Sequence, residues 1–428
     1  MRLAIIRQDY APEATTELFL EAALEALLER NVAVSLYSRA VTPTRLQLIE
    51  QVHCDPFHLG RWWRDAGFAR AVCRVIGRAR ANLVEAHQPL PCCDVYRADA
   101  GVYASWFDEE LANASAPRRW RLRLSPYWRY LLAAERRMFT SPWLRAVICP
   151  STLVRDEIAA RFGLPEAKLP VIPQPVDTAG LSPALRVHRA ATLARHGIDP
   201  AATVFLFASN DWRRDGARAA IEAVARAPAG AHLLLLGQPP TTGAPDALLR
   251  ELGAGDRATF VGEAPDPRPY LGAADALILP ARYDPRPTVV LDAMASGLPP
   301  IVGERSGAAA LVRERDCGLV VSPKDGAALA AAMQALQDPA RRARLAVNAR
   351  NAVLPFTAAA MTLQAVLLYR DLLAATVPPR RADPPAPGTQ PAAPDDDVPT
   401  LQREAPASAA RRPDLRPDEP DEGAGTPP

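Results

Sequence analysis

The sequence predicts an α/β fold built from doubly wound parallel sheets, on three observations. Arg2–Ile6 reads as a buried strand, Glu13–Arg30 places Leu18, Ala22, Leu24, Leu27 and Leu28 at helical spacings, and Val32–Tyr37 reads as the next strand. That is a βαβ opening. Ala274–Gly303 repeats the unit: a short apolar run at Ala276–Pro280, a proline-stiffened loop at Arg282–Pro287, a short helix and a second strand at Pro300–Gly303. The third observation is length: 428 residues exceed one ordinary core, so two domains are expected.

Composition narrows the function classes. A formal net charge of +2 argues against a general nucleic-acid binder. The six cysteines are Cys54, Cys73, Cys92, Cys93, Cys149 and Cys317. None forms a CxxC pair and neighbours such as Cys92 and Cys93 rarely bridge, so reduced thiols in a cytosolic protein are expected. No apolar run reaches the ~18 residues of a membrane span. Met1–Ile6 lacks the long apolar region of a signal peptide.

The first half continues with a strand at Asn82–Glu85 that ends on His87. His87 has the reading of a hydrogen-bonded structural histidine at a strand end beside any functional one. Asp99 follows in "DVYRADAG" and has the turn-residue reading beside any functional one. Pro117–Trp143 is dense in arginine, tryptophan and tyrosine. Such a mixture suits the interface of an anionic membrane, where each basic residue adds about 1 kcal/mol. The alternative is one long helix with its aromatics packed inward. Ala146–Pro150 reads as a strand, Ser151–Phe162 as a capped helix, Leu169–Ile172 as a strand, and Pro173–Asp177 as a stiff connector.

The second half opens on the strand Thr203–Ala208 and the loop Ser209–Gly216, where Asp215 is positioned to cap the helix Ala217–Ala227. His232–Gly237 and Thr259–Gly262 read as strands. Thr288 is placed to cap a helix carrying Val289, Asp292, Ala293 and Ser296 on neighbouring turns, with Gly297 and Pro299 ending it. Asp284 in the loop and Asp292 in the helix should then face one cleft mouth, beside a helix N-terminus suited to phosphate. Ala327–Ala352 reads as a helix, and Thr357–Ala375 as a final helix returning toward the first domain. From Val377 the chain lacks apolar periodicity and about a quarter of it is proline, the composition of a disordered tail.

Ala293-Met294-Ala295-Ser296-Gly297-Leu298-Pro299, preceded by Asp284 and Asp292, resembles the signature of family-four retaining glycosyltransferases. In that family two glutamates at the same spacing bracket a glycine-containing loop before Ala-Met-Ala-x-Gly-x-Pro. "DVYRADAG" is similar to the lipopolysaccharide-core branch, and Pro173–Asp177 to the family's Pro-x-x-Val-Asp hinge. The resemblance implies two Rossmann-like domains facing across a cleft, the GT-B arrangement. Its domains would be 1–177 for the acceptor and 178–356 for the nucleotide-sugar, with helix 357–376 crossing back and a disordered tail at 377–428. It implies transfer of a sugar from a nucleotide-sugar to a glycolipid or lipopolysaccharide-type acceptor, with retention, no metal and no cofactor, at the cytoplasmic membrane face.

Residue by residue, the resemblance implies that Asp292 holds the ribose hydroxyls and Asp284 the transferred sugar. Arg214 would bind the diphosphate and Gly262 would lie against the base. Asp99 would face the acceptor, with His87 second. It also favours the membrane reading of 117–143, because acceptors of that branch are lipid-linked. The chain departs from the pattern at four places. Both acids are aspartates. Pro287 stands where the loop glycine is expected. The first loop, Tyr10–Glu17, has no Gly-Gly pair and carries Glu13 and Glu17. Asp215 occupies the place of a diphosphate-binding lysine, for which Arg213 is the substitute cation. These departures keep two other readings open: a non-catalytic glycosyltransferase-like protein that binds a partner enzyme or glycan, and a nucleotide-sugar 2-epimerase of the same architecture.

Overall fold

The computed structural model describes residues 2–375 apart from 10–23, 26, 30, 41–48, 78–80 and 239–244. The loop with Glu13 and Glu17, most of the first helix, and the tail from Val377 lie outside the described residues.

Twelve described strands form two sheets. The first contains β1 (Arg2–Ile6), β2 (Ala33–Ser38), β3 (Glu50–His53), β4 (Leu83–Ala86), β5 (Val95–Arg97) and β6 (Ala146–Ile148), in the order β3-β2-β1-β4-β5-β6. The second contains β7 (Thr203–Ala208), β8 (Ala231–Leu236), β9 (Ala258–Gly262), β10 (Ala276–Leu279), β11 (Pro300–Gly303) and β12 (Leu319–Val321), in the order β12-β11-β10-β7-β8-β9. Every pairing is parallel. Both sheets are therefore doubly wound with one strand order, and both reverse direction at their middle, between β1 and β4 and between β7 and β10. Helices on both faces bury the central strands completely, which is why β10 and β11 read as unbroken apolar runs. The switch points matter for function because the strand ends there open a crevice.

The last described helix is Ala358–Ala374. Its Met361, Ala365, Val366 and Tyr369 pack with Leu3, Ile5 and Leu83 of the first sheet. Among the described residues no single helix is long and apolar enough to cross a membrane.

Several local expectations are corrected. The helix expected over Ala327–Ala352 is two, Gly326–Ala335 and Pro339–Val353. The break is an N-cap signature: the Asp338 carboxylate accepts from the Ala340 amide at 3.0 Å and Pro339 takes the first helical position. The arginine-rich segment is likewise two helices, Ala116–Leu124 and Pro126–Phe139, parted at Ser125 and Pro126. Leu169–Ile172 pairs only through an isolated bridge from Val171 to Cys149, because Pro170 and Pro173 lack amide protons. Thr288 is not the cap of its helix; Pro287 holds the cap position and no side chain caps the first turn. Asp215 does not cap the helix Ala217–Arg226, which starts from Gly216 in the left-handed region.

The expectation of six reduced thiols is also corrected. Cys73 and Cys92 form a disulfide, while Cys54, Cys93, Cys149 and Cys317 remain buried thiols. The 19-residue separation hid the pair. It links the helix Arg61–Ile76 to the loop after β4.

Candidate active site at the facing switch points

The carboxyl ends of β1, β4 and β5 deliver Arg7, His87 and Asp99 to one cavity. His87 Nδ1 lies 3.2 Å from Arg7 Nη1 and 3.6 Å from Asp99 Oδ2, and its Nε2 lies 3.3 Å from Glu85 Oε1. The two first-sheet candidates, His87 and Asp99, are therefore neighbours. Burial opposes ionisation of Asp99. The His87 hydrogen bond and the charges of Arg286 and Arg97 outweigh it and hold the carboxyl well below the usual carboxylate range. Asp99 also accepts from Gln174 Nε2 in the interdomain connector at 3.1 Å. It is an anchored carboxylate and also a turn residue: the Gly101 amide donates to the Ala98 carbonyl at 2.9 Å around it. Glu85 is held down to about 2 in the same way: burial opposes, Arg97, His87 and the Tyr369 hydroxyl prevail.

Across the cleft, the ends of β7 and β10 deliver Arg214 and Asp284. Arg214 Nε donates to Asp215 Oδ1 at 2.8 Å and Nη2 to Oδ2 at 3.3 Å. Asp215, buried, is held further by Ser209 Oγ at 2.6 Å. Asp284 is buried, and its Oδ2 accepts from Ser306 Oγ at 3.2 Å. Burial first and the Asp215 charge second push its carboxyl up to about 7, against the pull of Arg214, Ser306 and Arg286. Arg286 spans both halves: Nη1 is 3.5 Å from Asp99, and its charge acts on Asp284. Arg286 thus pairs with Asp99, while Arg286 and Arg214 both draw the Asp284 carboxyl toward its ionised form.

The remaining candidates have surroundings of their own. Asp292 is half-buried on the helix Thr288–Ala295, and its buried Oδ1 has no hydrogen-bond partner. Burial first and the neighbouring Asp177 second push it up to about 7. The charge that raises Asp284 is Asp215, and the one that raises Asp292 is Asp177. Gly262 ends β9 in the left-handed region, with only the Phe260 ring edge within 4.0 Å of the place a Cβ would take. Trp212 meets that ring edge-on at 5.5 Å. Arg213 does not join Arg214 at Asp284; its guanidinium is taken by Glu110 of the first domain.

Sequence reasoning missed the residues that close the cleft. Buried Glu110 is paired with Arg118 at 2.9 Å, with Arg213, and with Arg282 at 3.6 Å. Arg305 reaches Glu109 at 3.2 Å and Glu157 at 2.6 Å. The Tyr283 hydroxyl donates to Glu157 at 2.9 Å and accepts from the Val102 amide at 2.8 Å. The available signal was the arginine density of the "ARYDPRP" loop and its single tyrosine beside Asp284.

Two doubly wound sheets, with cations and carboxylates at their switch points, define a two-domain α/β architecture. The family model described as "Glycosyl transferases group 1" matches residues 202–338, and the one described as "Glycosyltransferase Family 4" matches residues 16–179. Together with the fold, these matches support a family-four glycosyltransferase of GT-B fold. It is 34% identical over 134 residues to the lipopolysaccharide core biosynthesis glycosyltransferase LpsE of Rhizobium meliloti (strain 1021), covering 31% of this chain and 39% of that protein. It is 31% identical over 216 residues to D-inositol 3-phosphate glycosyltransferase of Rhodococcus opacus (strain B4), covering 47% and 48%. The chain thus spans less than half the length of these curated relatives. Its fold is similar to that of WaaG, a glycosyltransferase involved in lipopolysaccharide biosynthesis, with a TM-score of 0.72 at 19% identity over 86% of this chain and 99% of that one. Anabaena Alr3699/HepE in complex with UDP and glucose gives 0.61 at 18% identity, over 87% and 100%.

Proposed function

We propose that this protein transfers a hexose from a nucleotide-sugar to a glycolipid acceptor of the lipopolysaccharide-core type, with retention at the anomeric carbon, at the cytoplasmic face of the inner membrane. The observation that carries the reading is Arg286, which pairs with Asp99 at 3.5 Å and whose charge, with that of Arg214, acts on Asp284. Arg214 uses Nε and Nη2 on Asp215, which leaves Nη1 for a diphosphate oxygen. The helix Thr288–Ala295 presents a first turn with no side-chain cap, so its amides and dipole supply further anion stabilisation. Asp292 Oδ1, buried without a partner, accepts a ribose hydroxyl. Asp284, titrating at about 7, both accepts from and donates to the hydroxyls of the transferred sugar. The ionised Asp99, steadied by Gln174 and Arg286, accepts from the acceptor hydroxyl. The Arg-rich helices Ala116–Leu124 and Pro126–Phe139 hold the protein at the anionic membrane surface where the acceptor lies. The named activities of LpsE and of WaaG support the acceptor class, and the Alr3699/HepE complex supports a nucleoside diphosphate donor.

One observation favours the non-catalytic reading: Asp215 and Glu110 already neutralise Arg214 and Arg213. Product analysis separates the two. Incubation with labelled nucleotide-sugars and extracted glycolipid should yield a labelled lipid whose new linkage keeps the donor's anomeric configuration by NMR. Donor binding without any product would favour the non-catalytic reading, and inversion would remove retention.

A further inference from the structure

We propose that the turn Phe57–Gly60 and the start of the helix Arg61–Ile76 form a second, apolar half of the membrane-docking surface, one that inserts aromatic side chains into an anionic phospholipid bilayer beside the arginine-rich helices. The inference rests on the membrane reading above and extends it to a segment the sequence does not mark.

Four large apolar side chains stand in solvent within seven residues: Phe57 at 75% exposure, Leu59 at 66%, Trp62 at 46% and Trp63 at 39%. They are not scattered. Phe57 meets Trp63 edge-on at 6.0 Å, and Trp62 stacks on Trp63 at 6.5 Å. Exposed aromatics gathered into one cluster mark an interaction surface, where isolated ones would not. The cluster is tied to the arginine-rich helices, because Arg61 lies 5.0 Å over the ring of Tyr127 in the first turn of Pro126–Phe139. Directly before that turn come Leu124, 50% exposed, and Trp120 one helical turn earlier at 70%.

The charges choose the partner. Arg121, Arg123 and Arg129 are exposed and hold no ion pair among the described residues. Arg118, by contrast, is spent on Glu110. The acids nearest the turn are engaged as well, Asp55 by Arg39 and Asp65 by Arg64 and Gln8. What remains outward is tryptophan, phenylalanine, leucine and unpaired guanidinium. Indole and guanidinium together match the headgroup layer of an anionic bilayer, with the aromatic rings at the acyl boundary. A second copy of the chain in a twofold contact would bring the same arginines against each other, so the surface does not suit self-association.

The test uses the full chain and vesicles of phosphatidylcholine with or without phosphatidylglycerol, some carrying brominated acyl chains. The wild type should sediment with the anionic vesicles, release at high salt, and show bromine quenching of tryptophan fluorescence. Phe57→Ser/Leu59→Ser/Trp62→Ser should weaken vesicle binding about tenfold or more while nucleotide-sugar binding stays at the wild-type level, which reports that the variant is folded. Arg121→Gln/Arg123→Gln/Arg129→Gln should weaken it by roughly a hundredfold and flatten the salt dependence. Undiminished sedimentation of the turn variant overturns the proposal and leaves the arginine helices as the docking element. A wild type that ignores vesicles but glycosylates detergent-dispersed lipid overturns the surface and leaves the transferase reading intact. Concentration-dependent dimerisation lost in the turn variant overturns it in favour of a second copy.

Discussion

Asp284 and Asp292 carry an energetic signature of the site. Both are pushed up to about 7, chiefly by burial. An unfolded aspartate releases its proton near about 3.9. Between about 4 and about 7 the native chain therefore holds protons the unfolded chain has lost, so stability falls as pH rises through that window and levels off above it. Asp284→Asn removes that dependence for one site. It should raise Tm at pH 8 and leave it nearly unchanged at pH 4; an equal shift at both pH values would contradict the buried, neutral-leaning carboxyl. Asp284 was legible in the sequence because its spacing to Asp292 accompanies an intact Ala-Met-Ala-x-Gly-x-Pro run. The partners that tune it were not, because Arg214, Asp215 and Ser306 come from other strand ends that only the sheet brings together. The same holds for Cys73 and Cys92, which no local pattern joins. A thiol reagent should find four thiols in the denatured, unreduced chain, and six would contradict the bridge.

At the scale of elements, the loop after β10 is wedged against the first domain, and Gly101 makes room for it. Gly101 adopts φ +74°, and a Cβ there would lie 2.5 Å from the Tyr283 hydroxyl and 2.6 Å from Pro285 Cβ. Gly101→Ala should cost about 1–3 kcal/mol from backbone conformation alone. It should also speed hydrogen exchange of the Val102 amide, whose bond to Tyr283 it displaces. Unchanged exchange would mean the loop yields without disturbing the contact. Strands with unbroken apolar runs, such as β7 and β10, were legible to within a residue or two, because burial on both faces writes itself into composition. Breaks within helices were not: Asp338-Pro339 and Ser125-Pro126 were passed over inside longer periodic runs, although each is a cap followed by a proline. The aromatics of 117–143 divide along that second break. Phe139 packs against Tyr96 and Phe162, and Trp128 against Phe107, whereas Trp120 stays in solvent.

For the whole molecule, the contact between the two sheets has a polarity that neither half shows alone. The first domain offers Asp99, Glu109, Glu110 and Glu157; the second meets them with Arg286, Arg305, Arg213 and Arg282. Half-buried charge pairs of this kind are weakened by salt and by loss of one partner. Arg305→Ala, which removes the cation from Glu157 and Glu109, should widen the cleft and increase the radius of gyration in small-angle scattering; an unchanged radius would assign closure to Tyr283 and to Ser151, whose Oγ donates to the Pro285 carbonyl at 2.9 Å. The central claim is that this cleft grips a nucleoside diphosphate sugar through Arg214. The most direct measurement is calorimetric titration of wild type, Arg214→Ala and Asp292→Asn with UDP-, GDP- and ADP-sugars. The account predicts saturable binding of one nucleotide class, weakened roughly thirtyfold by Arg214→Ala through loss of about 2 kcal/mol of charge-assisted bonding. A folded wild type that takes up none of these donors, or an Arg214→Ala variant that binds as tightly as wild type, would contradict it.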